Sequence, residues 1–376
     1  MLQVLHCIYD DPANPWVGGG GAVRVRELYR HLRERVSATV ITGRYPGAED
    51  ETIDGIRYVR LGASRPYAWS RWTFARAASR FLREAEYDAA VFDFSVYTPI
   101  RIPRDRPVGI TVHHVTSPTA RTRWGPAIGI GIQAVERRLL GRARWLSATS
   151  HATLAELRRV TSADALISLV GAGVPERLFE VERNEQDYLL YFGRLDWFQK
   201  GLDTLLEALA KLVRERPSLQ LRIAGRGKDA RRVESYAREL GIIDHLRMLG
   251  EVSDAERVRL FSGAKLLLMP SRFEGFGMVA AEAMAAAVPL IAADAGSLPE
   301  VVAAPEGGVL VPPGDASALA AATLALLDDS PRRAALSRSA RRSAERFRWN
   351  TVAEDHLEFL RLIAGSRPSV SPSRIA

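Results

Sequence analysis

Residues 264–293 read AKLLLMPSRFEGFGMVAAEAMAAAVPLIAA. The apolar run AKLLLMP (264–270) suits a strand buried on both faces, SRFEGFG has turn chemistry, the alanine-rich run is helix-forming, and VPLIAA (288–293) is apolar again. Strand, turn, helix and strand in succession imply a parallel pair joined by a crossover helix. The helix is predicted to begin near Phe276 or Gly277. Residues 278 and 282 then share one face, one turn apart.

The same alternation extends outward. GGVLVP (307–312) follows, and LRMLG (246–250), LQLRIAG (219–225) and YLLYFGR (188–194) precede. In the first half, strand candidates are Leu2 to Tyr9, SATVIT (37–42), AAVFDF (89–94), VGITVHH (108–114), WLSATS (145–150) and ALISLV (165–170). The polar stretch PERLFEVERNEQD after Gly173 and Val174 reads as a linker. The expected fold is α/β, with two doubly wound Rossmann-like domains facing each other across a central cleft. Residues 1–176 form the first and 188–345 the second, followed by a helix over 346–365 and a disordered tail, 366–376.

A chain of 376 residues, 47% hydrophobic, can bury two such cores. It shows neither a long uninterrupted apolar run nor a charged-then-apolar leader, so the expected location is cytoplasmic. Cys7, the single cysteine, lies in an apolar run and reads as a buried strand thiol. The net charge of +8 belongs to the first half, where residues 1–180 hold 25 basic against 18 acidic side chains. Within it, residues 57–83 carry seven arginines, two tryptophans and no acid, with helical spacing from Thr73 onward. Such a stretch reads as a core-packed helix with a solvated basic face, or as one that suits an acidic substrate or an anionic surface such as the inner face of the cell membrane. No aromatic-basic nucleic-acid motif accompanies the charge, so no nucleic-acid partner is expected.

Several motifs carry chemistry. Glycines in SRFEGFG let backbone approach a ligand, and the first helical N–H groups attract phosphate. Glu282 is flanked by alanines, and a buried carboxylate needs a partner, which ribose hydroxyls could supply. Glu274 precedes the helix and is either a capping carboxylate or a group directed at whatever the phosphate carries. In YFGRLDWFQKGLD, Arg194 and Lys200 flank a loop that follows a strand, and two cations there suit a diphosphate. The run GGGG (18–21) follows the first strand and could admit phosphate or sugar. His113 and His114 end a strand, at the sheet edge where α/β ligands bind, and only one of the adjacent pair is expected to reach the site. His6, His31, His151, His245 and His356 are expected to join no cluster, and neither metal-ligand spacing nor a DxD triplet is present, so no metal is expected.

Together these motifs resemble the retaining glycosyltransferases of family 4, which have the GT-B fold. The resemblance rests on GGGGAVRVREL, TVHH, GAGVPERLF, YFGRLDWFQKG, RIAGRG, LRMLGEVSD, LLLMPSRFEGFGMVAAEAMAAAVPLIAADAGSLPEVV and GVLVPPGD. It implies an acceptor-binding first domain and a second domain that holds a nucleotide-sugar donor, UDP- or GDP-hexose, as co-substrate with no cofactor. On that resemblance Glu282 binds ribose, Glu274 the sugar hydroxyls, Arg194 and Lys200 the diphosphate, and the backbone of Gly275, Phe276, Gly277 and Met278 the sugar and phosphate. Gly19 and Gly20 match the glycine pair at the donor phosphates and acceptor, and His113 matches the active-site histidine. The final helix is implied to cross back to the first domain. The implied reaction is metal-independent hexosyl transfer with retention to an acceptor hydroxyl, in glycolipid, polysaccharide or small-glycoside synthesis. Three positions depart from the usual pattern: five residues rather than four separate Arg194 from Lys200, Ala287 replaces a glycine, and Ala172 replaces an asparagine. A nucleotide-sugar epimerase of the same architecture is the alternative enzyme, and a basic nucleic-acid-binding protein the alternative outside enzymes.

Overall fold

The structure is a computed structural model that describes residues 1–16, 19–116 and 125–365. The chain divides into two compact units, residues 1–172 with 349–376, and residues 173–348.

The first unit holds an eight-stranded sheet. Its strands are β1 (Leu2–Cys7), β2 (Val36–Gly43), β3 (Glu51–Ile53), β4 (Ile56–Leu61), β5 (Ala89–Asp93), β6 (Val108–Val112), β7 (Trp145–Ala148) and β8 (Leu166–Leu169). The spatial order is β3-β4-β2-β1-β5-β6-β7-β8, parallel throughout except for β3 against β4. Every residue of β5, β6 and β7 is buried, as strands covered by helices on both faces require. β1 is the pivot, pairing Leu2 with Val36 of β2 on one side and Val4 with Ala89 of β5 on the other. The chain order reverses between β1 and β5, and the carboxyl ends of the strands at such a reversal form the ligand crevice of doubly wound sheets.

The second unit has six parallel strands: β9 (Leu189–Phe192), β10 (Leu221–Ala224), β11 (Leu246–Gly250), β12 (Leu266–Met269), β13 (Leu290–Ala293) and β14 (Val309–Val311). Their order, β11-β10-β9-β12-β13-β14, places the reversal between β9 and β12. Alternation along β12 sends Leu266 and Leu268 to the core on one face and Leu267 and Met269 to the core on the other. Each buried leucine contributes about 1.5–3 kcal/mol of hydrophobic stabilisation.

The structure corrects four local expectations. The expected strands are all present, but the sheet also gains the hairpin β3–β4. Its two-residue turn, Asp54-Gly55, has both φ angles positive (54° and 80°), the conformation that Asp-Gly supplies between twisted strands. Residues 57–83 are therefore not one surface: 57–61 lie in β4, and Arg60 is fully buried in an ion pair with Asp11 at 2.9 Å. The helix that follows is Tyr67–Glu84, starting well before Thr73, with Pro66 as its N-cap and Phe74, Ala78 and Leu82 buried. Finally, residues 175–187 are no free linker. They form the short helix Glu176–Phe179, bury Leu178, Phe179 and Val181 in the second unit's core, and tie Arg183 to the Ser262 carbonyl at 2.9 Å.

The division between units falls at Ala172/Gly173 and Arg348/Trp349. Val174 pairs with Arg348, and its N–H donates to the Phe347 carbonyl at 2.8 Å, so both crossings sit side by side. The helix Trp349–Ala364 belongs to the first unit, burying Trp349, Val352, Leu357 and Leu360 with Val25, Leu28 and Leu32 of the helix Gly20–Leu32. The tail expected to be disordered, 366–376, lies outside the described residues. Among the described residues no helix is long and apolar enough to cross a membrane.

Candidate active site

In the second unit the candidate residues gather at the carboxyl ends of β9 and β12, where the strand order reverses. After β9 the chain turns through Arg194 and Lys200 into the helix Leu202–Glu215. Gly201, its N-cap, has φ 62°, and a Cβ there would lie 2.1 Å from the Pro270 carbonyl oxygen. Only glycine allows that approach, which brings the cation loop against the end of β12. Arg272 fastens the same junction by a two-pronged bond to Asp203 at 2.8 and 2.9 Å, and its N–H donates to the Gln199 carbonyl.

Across this junction Lys200 Nζ forms an ion pair with Glu274 Oε1. Ser271 Oγ donates to the same carboxylate oxygen at 3.0 Å. Glu274 is 9% exposed, and its carbonyl accepts from the N–H and hydroxyl of Ser297. Arg194 is exposed on the same loop and donates to Gln199 Oε1 at 3.1 Å. The turn ends at Gly277 (φ 91°), the N-cap of the helix Met278–Ala285, so the first helical residue is Met278. Phe276 packs edge-on against Phe347 with centroids 5.7 Å apart, which holds the turn that carries Gly275.

Glu282 is 2% exposed, and its partner is one that sequence reasoning missed. Arg257, from the helix Asp254–Gly263, pairs with Glu282 Oε1. Burial pushes the Arg257 guanidinium down to about 10. Glu282 Oε2 and Arg257 Nε are buried without a hydrogen-bond partner among the described residues. Nothing in the spacing of DAERVRLF marks Arg257 as a partner for a residue 25 positions away.

The first unit gathers a second set at its own strand-order reversal. His113, immediately after β6, directs Nε2 to Asp93 Oδ2 at 2.8 Å, whereas His114 is exposed. Asp93 Oδ1 bonds His6 Nε2 at 2.9 Å, and His6 Nδ1 meets the Tyr29 hydroxyl at 2.8 Å. His356 Nε2 lies 3.3 Å from that hydroxyl. The expectation that His6 and His356 join no cluster is therefore corrected: β1, β5 and two helices bring them together. Burial alone would raise the Asp93 carboxyl, but the charge and hydrogen bonds of His113 and His6 outweigh it and hold it well below the usual range. The glycine run opens the helix Gly20–Leu32 with Gly19 as N-cap, and Gly18 lies outside the described residues. A Cβ on Gly21 would come within 3.3 Å of Ile8 and 3.9 Å of His113 Nε2, so this helix start adjoins the histidine. Arg24 anchors the helix from within by donating to the carbonyls of Gly171 (2.8 Å) and Val170 (2.9 Å).

Comparison with known proteins identifies the family. The model described as "Glycosyltransferase Family 4" matches residues 18–177, and that described as "Glycosyl transferases group 1" matches residues 176–343. Glycogen synthase of Mycobacterium tuberculosis is 38% identical over 169 residues, 44% of this chain and 40% of that protein. Phosphatidyl-myo-inositol mannosyltransferase of Mycolicibacterium smegmatis is 34% identical over 189 residues, 50% of this chain and 48% of that protein. The chain thus spans under half the length of these curated relatives. Among solved structures, a sucrose-phosphate synthase from Thermosynechococcus elongatus superposes with a TM-score of 0.83 at 25% identity, covering 97% of this chain and 100% of that one. Both units have the Rossmann-like fold of GT-B glycosyltransferases. Matched from residue 18 to residue 343 by the two models together, the chain belongs to the family 4, group 1 glycosyltransferases.

Proposed function

We propose that the protein is a retaining hexosyltransferase that moves a hexose from UDP- or GDP-hexose to an acceptor hydroxyl without a metal ion. The observation that carries this reading is the Lys200–Glu274 pair, held at the strand-order reversal beside the start of the helix Met278–Ala285. Glu274 accepts hydrogen bonds from donor sugar hydroxyls, and the free oxygen of Glu282 accepts one from the ribose. Lys200 and Arg194 meet the diphosphate, aided by the backbone of Gly275, Phe276, Gly277 and Met278. As the bond between the anomeric carbon and phosphate oxygen breaks, the acceptor oxygen bonds to that carbon from the same face and its proton passes to the departing phosphate. Negative charge grows on the leaving group, where two fixed cations stabilise it and take the part a metal would otherwise play. Gly19, Gly20 and His113 contribute hydrogen bonding to substrate from the first unit. A coupled assay with UDP- and GDP-hexoses in excess chelator tests the reading. Undiminished transfer supports it, and transfer that requires a divalent cation contradicts the metal-independent route.

The acceptor is proposed to be a saccharide, small molecule or lipid-linked hydroxyl. A lipid acceptor is favoured by one surface feature. Trp69 and Trp72 stack at 4.8 Å, each about half exposed, with the Arg76 guanidinium 4.9 Å from the Trp72 ring. Aromatic rings beside arginines on one helix suit an anionic membrane surface. Vesicles containing anionic lipid should pellet the protein at low salt, and Trp69→Ser with Trp72→Ser should release it. Equal pelleting of the double variant would show that this surface does not hold the membrane.

A further inference from the structure

A buried polar chain runs through the first unit from His113 to the helix Trp349–Ala364. Its centre is Asp93, 5% exposed, whose two carboxylate oxygens each meet one imidazole nitrogen: Nε2 of His113 and Nε2 of His6. A carboxylate only accepts, so each nitrogen that faces it carries the proton. Behind His6 stand the Tyr29 hydroxyl and His356. Burial, followed by the charges of Arg24 and His6, pushes His356 well below its ordinary value and keeps it neutral. With the Tyr29 hydroxyl donating to Nδ1 of His6, the neutral His6 ring carries its proton on Nε2, facing Asp93. The backbone of His113 is pinned as well, since its carbonyl accepts from the hydroxyls of Thr149 (3.2 Å) and Thr153 (3.4 Å).

We propose that Asp93 is the positioning residue for His113: it fixes the ring as the Nε2–H tautomer, so that Nδ1 is the nitrogen left to accept a hydrogen bond from a sugar hydroxyl. The role given to Nδ1 rests on the glycosyl-transfer reading, whereas the tautomer does not. His6, Tyr29 and His356 hold the carboxylate from behind and tie it to the last helix. Asparagine at position 93 would offer one acceptor and one donor in place of two acceptors, which obliges one of the two histidines to turn a bare nitrogen towards it.

The test is long-range nitrogen–proton NMR of the full-length, nitrogen-labelled protein without ligand, at alkaline pH, with His113 assigned by loss of its signals in His113→Asn. The expected wild-type spectrum shows His113 protonated on Nε2 and bare on Nδ1. In Asp93→Asn, the His113 or His6 pattern should switch to Nδ1–H. A wild-type His113 protonated on Nδ1 overturns the inference, and so does an Asp93→Asn spectrum in which both rings keep the wild-type pattern. If Asp93→Asn does not fold, the wild-type spectrum decides alone. Addition of a nucleotide-sugar that raises the melting temperature should move the His113 Nδ1 signal, and an unmoved signal in the saturated protein overturns the acceptor role. Failure of every nucleotide-sugar to bind would instead defeat the transfer reading and leave the tautomer result standing on its own.

Discussion

Lys200 and Glu274 are each other's counter-charge until a ligand arrives. Losing the cation leaves a nearly buried carboxylate with Ser271 as its side-chain donor, and breaking such a pair costs about 3–5 kcal/mol when it is fully desolvated. Lys200→Met should therefore lower the melting temperature and, through the loss of a cation facing the leaving group, reduce kcat by about 10²–10³-fold. Lys200→Arg keeps the charge and should retain more activity than Lys200→Met in the same assay; equal loss in both would show that charge is not what Lys200 supplies. His356 gives a pH prediction at the same scale. Its folded pKa lies below the ordinary 6.5, so the unfolded chain binds the extra proton and stability must fall as pH drops below about 6.5. The slope from this one group is about 1.4 kcal/mol per pH unit. Urea midpoints at pH 7.5 and 5.5 should diverge in the wild type and diverge less in His356→Gln.

At the scale of elements, Ala287 follows the helix Met278–Ala285 and its C-cap Ala286 with φ 55°, a conformation that costs a residue with Cβ about 1–2 kcal/mol. The family resemblance places a glycine there, and the geometry gives the reason. Ala287→Gly should stabilise the protein by roughly 0.5–1 kcal/mol after the unfolded-state entropy of glycine is subtracted. A lowered melting temperature would refute that. Gly201→Ala should do the opposite and weaken donor binding as well, because a Cβ would drive the cation loop off Pro270. Gly47→Ala, with a similar φ of 79° but open space, should cost stability without touching donor binding. These elements differ in how far the sequence discloses them. Continuous apolar runs such as LLLM and AAVFD declare buried parallel strands, and their bounds moved by only a residue or two. The hairpin at 51–61 escaped notice because its strands are short, although Asp54-Gly55 is a strong turn signal. The first turn of the helix Tyr67–Glu84 escaped because YAWS buries only Ser70 and so shows no apolar stripe.

For the whole molecule, both sheets reverse their strand order, and in each the candidate residues sit at the strand ends beside that reversal. Glu274, Lys200, Gly277 and His113 were legible because each lies in the segment that directly follows an apolar run, where a ligand-facing residue in this fold must lie. Asp93, His6, His356 and Arg257 were not, since their meaning depends on partners 20 to 327 positions away that only strand order and helix packing bring near. On the proposed reading, the second unit recognises a nucleotide-sugar through Glu274. Ligand bound only by the folded state raises stability by about 2.7 kcal/mol at one hundred times Kd, a rise that a melting experiment reads directly. The deciding measurement is a thermal-shift titration of wild type and Glu274→Gln with UDP-, GDP- and ADP-hexoses in chelator. The wild type should show a saturable rise with at least one of them, and Glu274→Gln a weakened one. No rise with any donor, or equal affinity in Glu274→Gln, would contradict that reading.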